Sequence, residues 1–149
     1  MKLALVSLAR MESDPPLGLA YIASYLREYG NFTNTVIIDK EDPIKKIKKE
    51  KPDLVGITSL THEFPMANSL SREIKEEFQI PIVIGGQHIS QMPFHFQQSS
   101  FDIGVIGEGE QTTLELIETH ERHGEFNPEN LKNIRGIVFK SNGKVEKTE

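Results

Sequence analysis

Three short stretches of this chain hold the residues that could do chemistry. Thr58-Ser59-Leu60-Thr61 offers uncharged hydroxyls. Gly85-Gly86-Gln87-His88 offers backbone amides, room and an imidazole. Gly107-Glu108-Gly109-Glu110 adds two more glycines beside two carboxylates. Hydroxyls donate and accept hydrogen bonds without bringing charge. A glycine leaves space where a side chain would otherwise stand. This set is built to bind rather than to react, because no base is paired with an identifiable nucleophile, and no catalytic residue is assigned. The ligand that suits it is large and mostly neutral. Glu108 and Glu110 fall at the start of a helical pattern, where the helix dipole favours negative charge.

Each stretch follows a short apolar run that reads as a buried parallel strand: 53–58, 80–84 and 102–106. Residues 2–7 and 35–39 read as two earlier strands, joined to the rest by helical patterns. The first helix is expected over 17–29, with Leu19, Ile22, Ala23 and Leu26 on its inner stripe. Gly18 in its first turn implies strain or something packed closely there. Asp42-Pro43 supplies an N-cap and a first-turn proline for a second helix, with Ile44 and Ile47 inward. His62 to Pro65 reads as a loop. A third helix is expected over 66–78, with Met66, Leu70, Ile74 and Phe78 on one stripe, and another over 111–122. The strand over 80–84 ends at Ile84, and residues 88–100 form a weak helical segment broken by Pro93. Residues 8–14 make a polar loop, long for a strand-to-helix connection. Near the end, Asn142-Gly143 between two apolar runs marks a β-hairpin. Strands alternating with helices give one α/β domain over 1–149. The expected architecture is a flavodoxin-like (Rossmann-like), doubly wound, parallel five-stranded sheet of order 2-1-3-4-5, with the hairpin as an antiparallel edge. In such a sheet the ligand lies outside the carboxyl ends of the strands, where all three chemical stretches fall.

Composition narrows the partners. The formal net charge of −5 argues against nucleic acid. The lysine run from Lys45 to Lys51 reads as a solvated helix face. There is no cysteine, so this chain alone can build no disulfide, thiolate site or iron–sulfur cluster, which fits the cytoplasm. The apolar run at the N-terminus is too short to span a membrane. A dinucleotide would need a glycine fingerprint after strand one, and Ser7-Leu8-Ala9-Arg10-Met11-Glu12-Ser13 contains no glycine. The same long, partly acidic loop disfavours a flavodoxin-like electron carrier.

Four blocks in order carry a family resemblance: Pro15-Pro16-Leu17-Gly18-Leu19-Ala20-Tyr21-Ile22-Ala23, Pro52-Asp53-Leu54-Val55-Gly56-Ile57, Pro81 to His88, and Phe101 to Glu110. Together they closely resemble the N-terminal cobalamin-binding domain of cobalamin-dependent radical S-adenosylmethionine enzymes. The resemblance implies cobalamin as cofactor, held by Pro16, Leu17, Gly18, Thr58, Ser59, Leu60, Thr61, Gly85, Gly86, His88, Gly107, Glu108 and Gly109. Thr58 would lie near the nucleotide tail and Gly85-Gly86 would make way for it. His88 is expected near the corrin rim or the tail, and His95, His120 and His123 at the surface. Glu108 and Glu110 have an alternative role in bonding corrin amides or docking a barrel. Members of the methionine-synthase type carry a histidine cobalt ligand after strand one; residues 7–18 here contain none. Cobalamin would therefore be held base-off without a histidine from that loop. The resemblance further implies a following barrel that binds S-adenosylmethionine and a [4Fe-4S] cluster and acts in methyl transfer, rearrangement or ring formation. This chain would then be a fragment, not catalytic by itself. The alternative is a structural or interaction module that has lost its cofactor.

Overall fold

Alternation along the strands decides which face each side chain takes. On β1 (Leu3–Ser7), Leu3 and Leu5 turn to one layer of the core, and Ala4 and Val6 to the other. The same split holds on β3 (Leu54–Thr58) and β4 (Ile82–Gly85), which are apolar up to Thr58 and Gly85 at their carboxyl ends. The remaining strands are β2 (Thr35–Ile38), β5 (Ile103–Val105), β6 (Ile137–Ser141) and β7 (Lys144–Lys147). The computed structural model describes residues 1–8 and 15–149. These residues form one sheet in the order β2-β1-β3-β4-β5-β6-β7. The first five strands run parallel, and β6 and β7 join antiparallel beyond β5. This is the flavodoxin-like order expected from the sequence, with the hairpin at its edge. Asn142 and Gly143 both have positive φ, 50° and 74°, as a two-residue type I′ turn requires.

Helices cover both faces. On one side lie α1 (Leu17–Gly30), α5 (Glu110–His123) and α6 (Pro128–Leu131), which bury Leu19, Leu26, Leu116, Ile117 and Leu131. On the other lie α2 (Pro43–Glu50), α3 (Phe64–Phe78) and α4 (Gln87–Gln91), followed by a 3-10 turn over Pro93–Gln98. Ile47, Leu70, Ile74, Ile89 and Phe96 fill that layer. Asp42 caps α2 as expected, its Oδ1 accepting from the amides of Ile44 and Lys45 at 3.0 and 3.2 Å.

Two boundaries and one helix stripe differ from the sequence reading. First, His62 to Pro65 is not a loop: Thr61–Glu63 is a 3-10 turn and α3 begins at Phe64. The Leu60 amide donates to the Glu63 carboxylate at 2.8 Å, which folds this stretch back on itself. Second, Met66 is about half exposed while Ala67 is buried. Steps of four residues drift around a 3.6-residue helix, so a stripe counted back from Ile74 by fours leaves the core. Third, β4 starts after Pro81, which has no N–H to give a ladder, and runs on to Gly85. Gly85 stands opposite Thr58 in the sheet, and its carbonyl accepts from the Ser59 amide at 3.2 Å. The loop expected over 8–14 lies, from residue 9 on, outside the described residues. Among the described residues no helix is long and apolar enough to cross a membrane.

Candidate functional site

The sheet face turned toward α1 and α5 carries no side chain at two central positions. Gly56 on β3 shares that face with Leu54 and Thr58, and Gly85 on β4 shares it with Val83. Leu5 packs over Gly56, its Cδ2 2.8 Å from where a Cβ there would stand, while the space at Gly85 stays open; between the sheet and the two helices lies a slot of about 190 Å³. Its deep end is formed by Leu3, Leu5 and Leu54, and its sides by Leu19, Ile22, Val83, Val105 and Leu116. Thr58, Gly85, Gly86 and the turn Gly107–Glu110 surround its mouth, with Gly18 facing them from α1. An apolar cavity of about 150 Å³ holds benzene, so the slot has room for a flat aromatic group. A second recess of about 180 Å³ shares Gly18, Leu19 and Thr58 with it. That recess lies over the carboxyl ends of β1 and β3, bounded by Ser7, Leu8, Pro16, Leu60 and Glu63. It is the switch point of the sheet, where α/β folds bind ligands.

The structure brings most of the expected residues together. Gly18, Thr58, Gly85, Gly86, Gly107, Glu108 and Gly109 line the slot, and Pro16 and Leu60 line the recess. Leu17 and Thr61 are exposed and line neither; Ser59 is buried and ties the turn after β3 to Gly85 and His88 through its backbone. The two adjacent glycines differ in kind. A Cβ added at Gly85 would meet no atom within 4 Å. One added at Gly86 would lie 2.8 Å from both the Ser59 carbonyl oxygen and Thr58 Oγ1. At Gly18 a Cβ would likewise meet nothing within 4 Å among the described residues, so no close packing there explains that glycine. Gly56, Leu3, Leu5, Ile22 and Thr113 also line the slot and were not read as site residues from the sequence. The alternation rule could have found Gly56, two residues before Thr58 and therefore on the same face.

The B12 binding domain family profile matches residues 7–117, from the last residue of β1 into α5. The chain belongs to the B12-binding domain family. The resemblance read from the sequence to a cobalamin-binding domain is thus borne out. Among curated proteins, the chain is 37% identical over 143 residues to an uncharacterized methyltransferase, PH0819, of Pyrococcus horikoshii. That match covers 89% of this chain and 29% of the relative. It is 26% identical over 149 residues to the anaerobic magnesium-protoporphyrin IX monomethyl ester cyclase of Synechocystis, covering 92% of this chain and 28% of that protein. The chain therefore spans under a third of the length of these curated relatives.

Of the expected residues of this B12-binding domain that do not line the slot, His88 lies on the other side of the sheet. His88 is 2% exposed and sits in the opposite layer, its ring 4.3 Å from that of Phe64. The cause is local: α4 starts at Gln87, immediately after the Gly86 turn, and swings position 88 toward α3. His88 Nε2 lies 2.9 Å from Nδ1 of His95, an exposed residue. His88 Nδ1 is buried without a hydrogen-bond partner among the described residues. A dry, unpartnered nitrogen is cheaper as a lone pair than as an N–H, so we assign the proton to Nε2, donating to His95. Burial, reinforced by the neighbouring His95, pushes the His88 pKa below the ordinary imidazole value. Below about pH 6.5 the unfolded chain therefore takes up a proton that folded His88 resists, and stability falls as the pH falls toward the folded pKa. Urea midpoints at pH 8 and pH 5.5 should show this loss, and His88→Phe should lessen it. An equal loss in the variant would assign the acid sensitivity to other groups.

Among the described residues, no group of three or more His, Asp or Glu is placed to hold a metal ion.

Proposed function

We propose that this domain holds cobalamin base-off, with the nucleotide tail in the slot, the corrin over the carboxyl edge of the sheet, and no histidine ligand from the loop after β1. The observation that carries this reading is the open trough beside Gly85, where a side chain would stand in empty space. The donor set suits such a group. Thr58 and the glycine turns at 85–86 and 107–109 surround an apolar channel with a hydrogen-bonding rim, to which Glu108 and Glu110 add two carboxylates. Pro16, Leu60 and Glu63 border the adjoining recess at the switch point. Leu17, Ser59 and Thr61 would act from just outside these walls. Residues 7–18 contain no histidine, which is the basis for the missing lower ligand. When bound, cobalamin would supply a cobalt centre able to carry a methyl group or change oxidation state; this domain's share is binding and orientation.

In a longer protein the domain would present the cofactor to a radical S-adenosylmethionine barrel carrying a [4Fe-4S] cluster, for methyl transfer, rearrangement or ring formation. The relatives' names, a methyltransferase and a cyclase, support that reading, as does the small share of each that this chain spans. The net negative charge and the lack of cysteine suit a cytoplasmic protein that binds neither nucleic acid nor membrane. A cofactor-free module of the same fold would be expected to fill the space beside Gly85 with side chains; the open slot counts against it.

The test is retention of hydroxocobalamin. After mixing and gel filtration, corrin absorbance should travel with the protein and show the base-off spectrum. A folded sample that retains no corrin at high ligand concentration would overturn the reading. Retention with a base-on spectrum would overturn the placement of the tail.

A further inference from the structure

We infer that the slot discriminates between corrinoids by their lower base, accepting an apolar aromatic base and disfavouring a purine that carries an exocyclic amine. This rests on the reading that the slot takes the nucleotide tail. The polar side chains of the slot, Thr58, Glu108, Glu110 and Thr113, belong to strand ends and to the α5 turn, at the mouth. Its deep end is lined by Leu3, Leu5 and Leu54, with Val83 and Leu116 on the walls above them. The backbone there offers little, because Leu3, Leu5 and Gly56 lie in ladders between neighbouring strands. Leu3 stands opposite Thr35 and Leu54, Leu5 opposite Ile37 and Gly56, and Gly56 opposite Val83. A base pushed into this end meets hydrocarbon and backbone groups that are already paired.

The chemistry of the two kinds of base then decides. Dimethylbenzimidazole, the lower base of cobalamin, presents one free ring nitrogen and two methyl groups. Adenine in the same position presents several ring nitrogens and an amine. A polar group buried without a partner weakens binding by roughly 10- to 100-fold. The amine has no acceptor in the depth of the slot, so adenine should carry a penalty of that size. A cresol base has no such group and should bind much as dimethylbenzimidazole does.

The experiment measures the affinity of the chain for four corrinoids by equilibrium dialysis: cobalamin, its adeninyl analogue, its cresolyl analogue, and cobinamide, which lacks the nucleotide. Cobalamin and the cresolyl form should bind within a few-fold of each other, and the adeninyl form at least roughly tenfold more weakly. Equal binding of the adeninyl form overturns the inference. Cobinamide binding as tightly as cobalamin would also overturn it, by taking the tail out of the slot. Failure of all four to bind a folded chain would instead sink the cofactor reading itself. Val83→Thr places a hydroxyl on the slot wall and should narrow the gap between the adeninyl form and cobalamin. An unchanged gap in the folded variant would place the base elsewhere and overturn the assignment.

Discussion

Gly85→Leu is expected to weaken cobalamin binding by roughly a hundredfold, about 2.7 kcal/mol, while leaving the fold nearly as stable as before. Position 85 lies within β4, paired with Thr58, and its φ is not in the left-handed region, so the backbone accepts a side chain. A Cβ there meets no atom within 4 Å, and the rest of a leucine would extend into the slot. Burying an aromatic group removes about 150–250 Å² from water, which at about 25 cal/mol per Å² is roughly 4–6 kcal/mol. Blocking about half of that burial accounts for the expected loss. Gly85→Ala is the control; it should melt at or slightly above the wild-type temperature, since glycine within a strand is entropically unfavourable. Thermal melts and corrinoid titrations of both variants decide the matter. A folded Leu variant that binds normally would remove the slot beside Gly85 from the site.

The neighbouring glycine should behave in the opposite way. Gly86 has φ 101° and ψ −177°, a conformation open essentially only to glycine. A methyl group there would also press on the Ser59 carbonyl oxygen, the Ser59 amide nitrogen and Thr58 Oγ1 at 2.8–3.0 Å. Two of these contacts are backbone, held by the ladder between β3 and β4, and cannot swing aside as a side chain could. Strained backbone of this kind costs about 1–3 kcal/mol, and the contacts add to it. Gly86→Ala should therefore destabilise the domain by about 3 kcal/mol, lowering the melting temperature by roughly 6–12 °C for a chain of this size. Measured by urea unfolding, a change within about 0.5 kcal/mol, the range of an ordinary surface substitution, would show that the turn relaxes and that Gly86 is not structural.

These two glycines show what the sequence could and could not tell. The pair announces a turn at the end of a strand, and the order of the strands follows from five βα repeats and the Asn142-Gly143 hairpin. The division of labour within the pair depends on φ at one residue and on the position of Thr58 and Ser59 at the β3 turn, which adjoins the pair only in the fold. The walls of the slot were hidden for the same reason. Leu3, Leu5 and Leu54 are buried like any core leucines, and that they close the end of a slot depends on the open space at Gly85, which only the fold shows. His88 misled in the other direction. A histidine two residues after a Gly-Gly turn looks like a loop residue facing the ligand, whereas the immediate start of α4 packs it against Phe64 in the other layer.

The most direct test of the slot as the tail site is methyl NMR of the chain titrated with cobalamin. Leu5, Ile22, Val83, Val105 and Leu116 line the slot, whereas Leu70, Ile74 and Ile89 fill the layer across the sheet. Saturating cobalamin should shift the first group strongly and leave the second nearly unmoved. Binding with the first group unmoved, or with the largest shifts on Leu70, Ile74 and Ile89, would contradict the slot beside Gly85 as the site of the nucleotide tail.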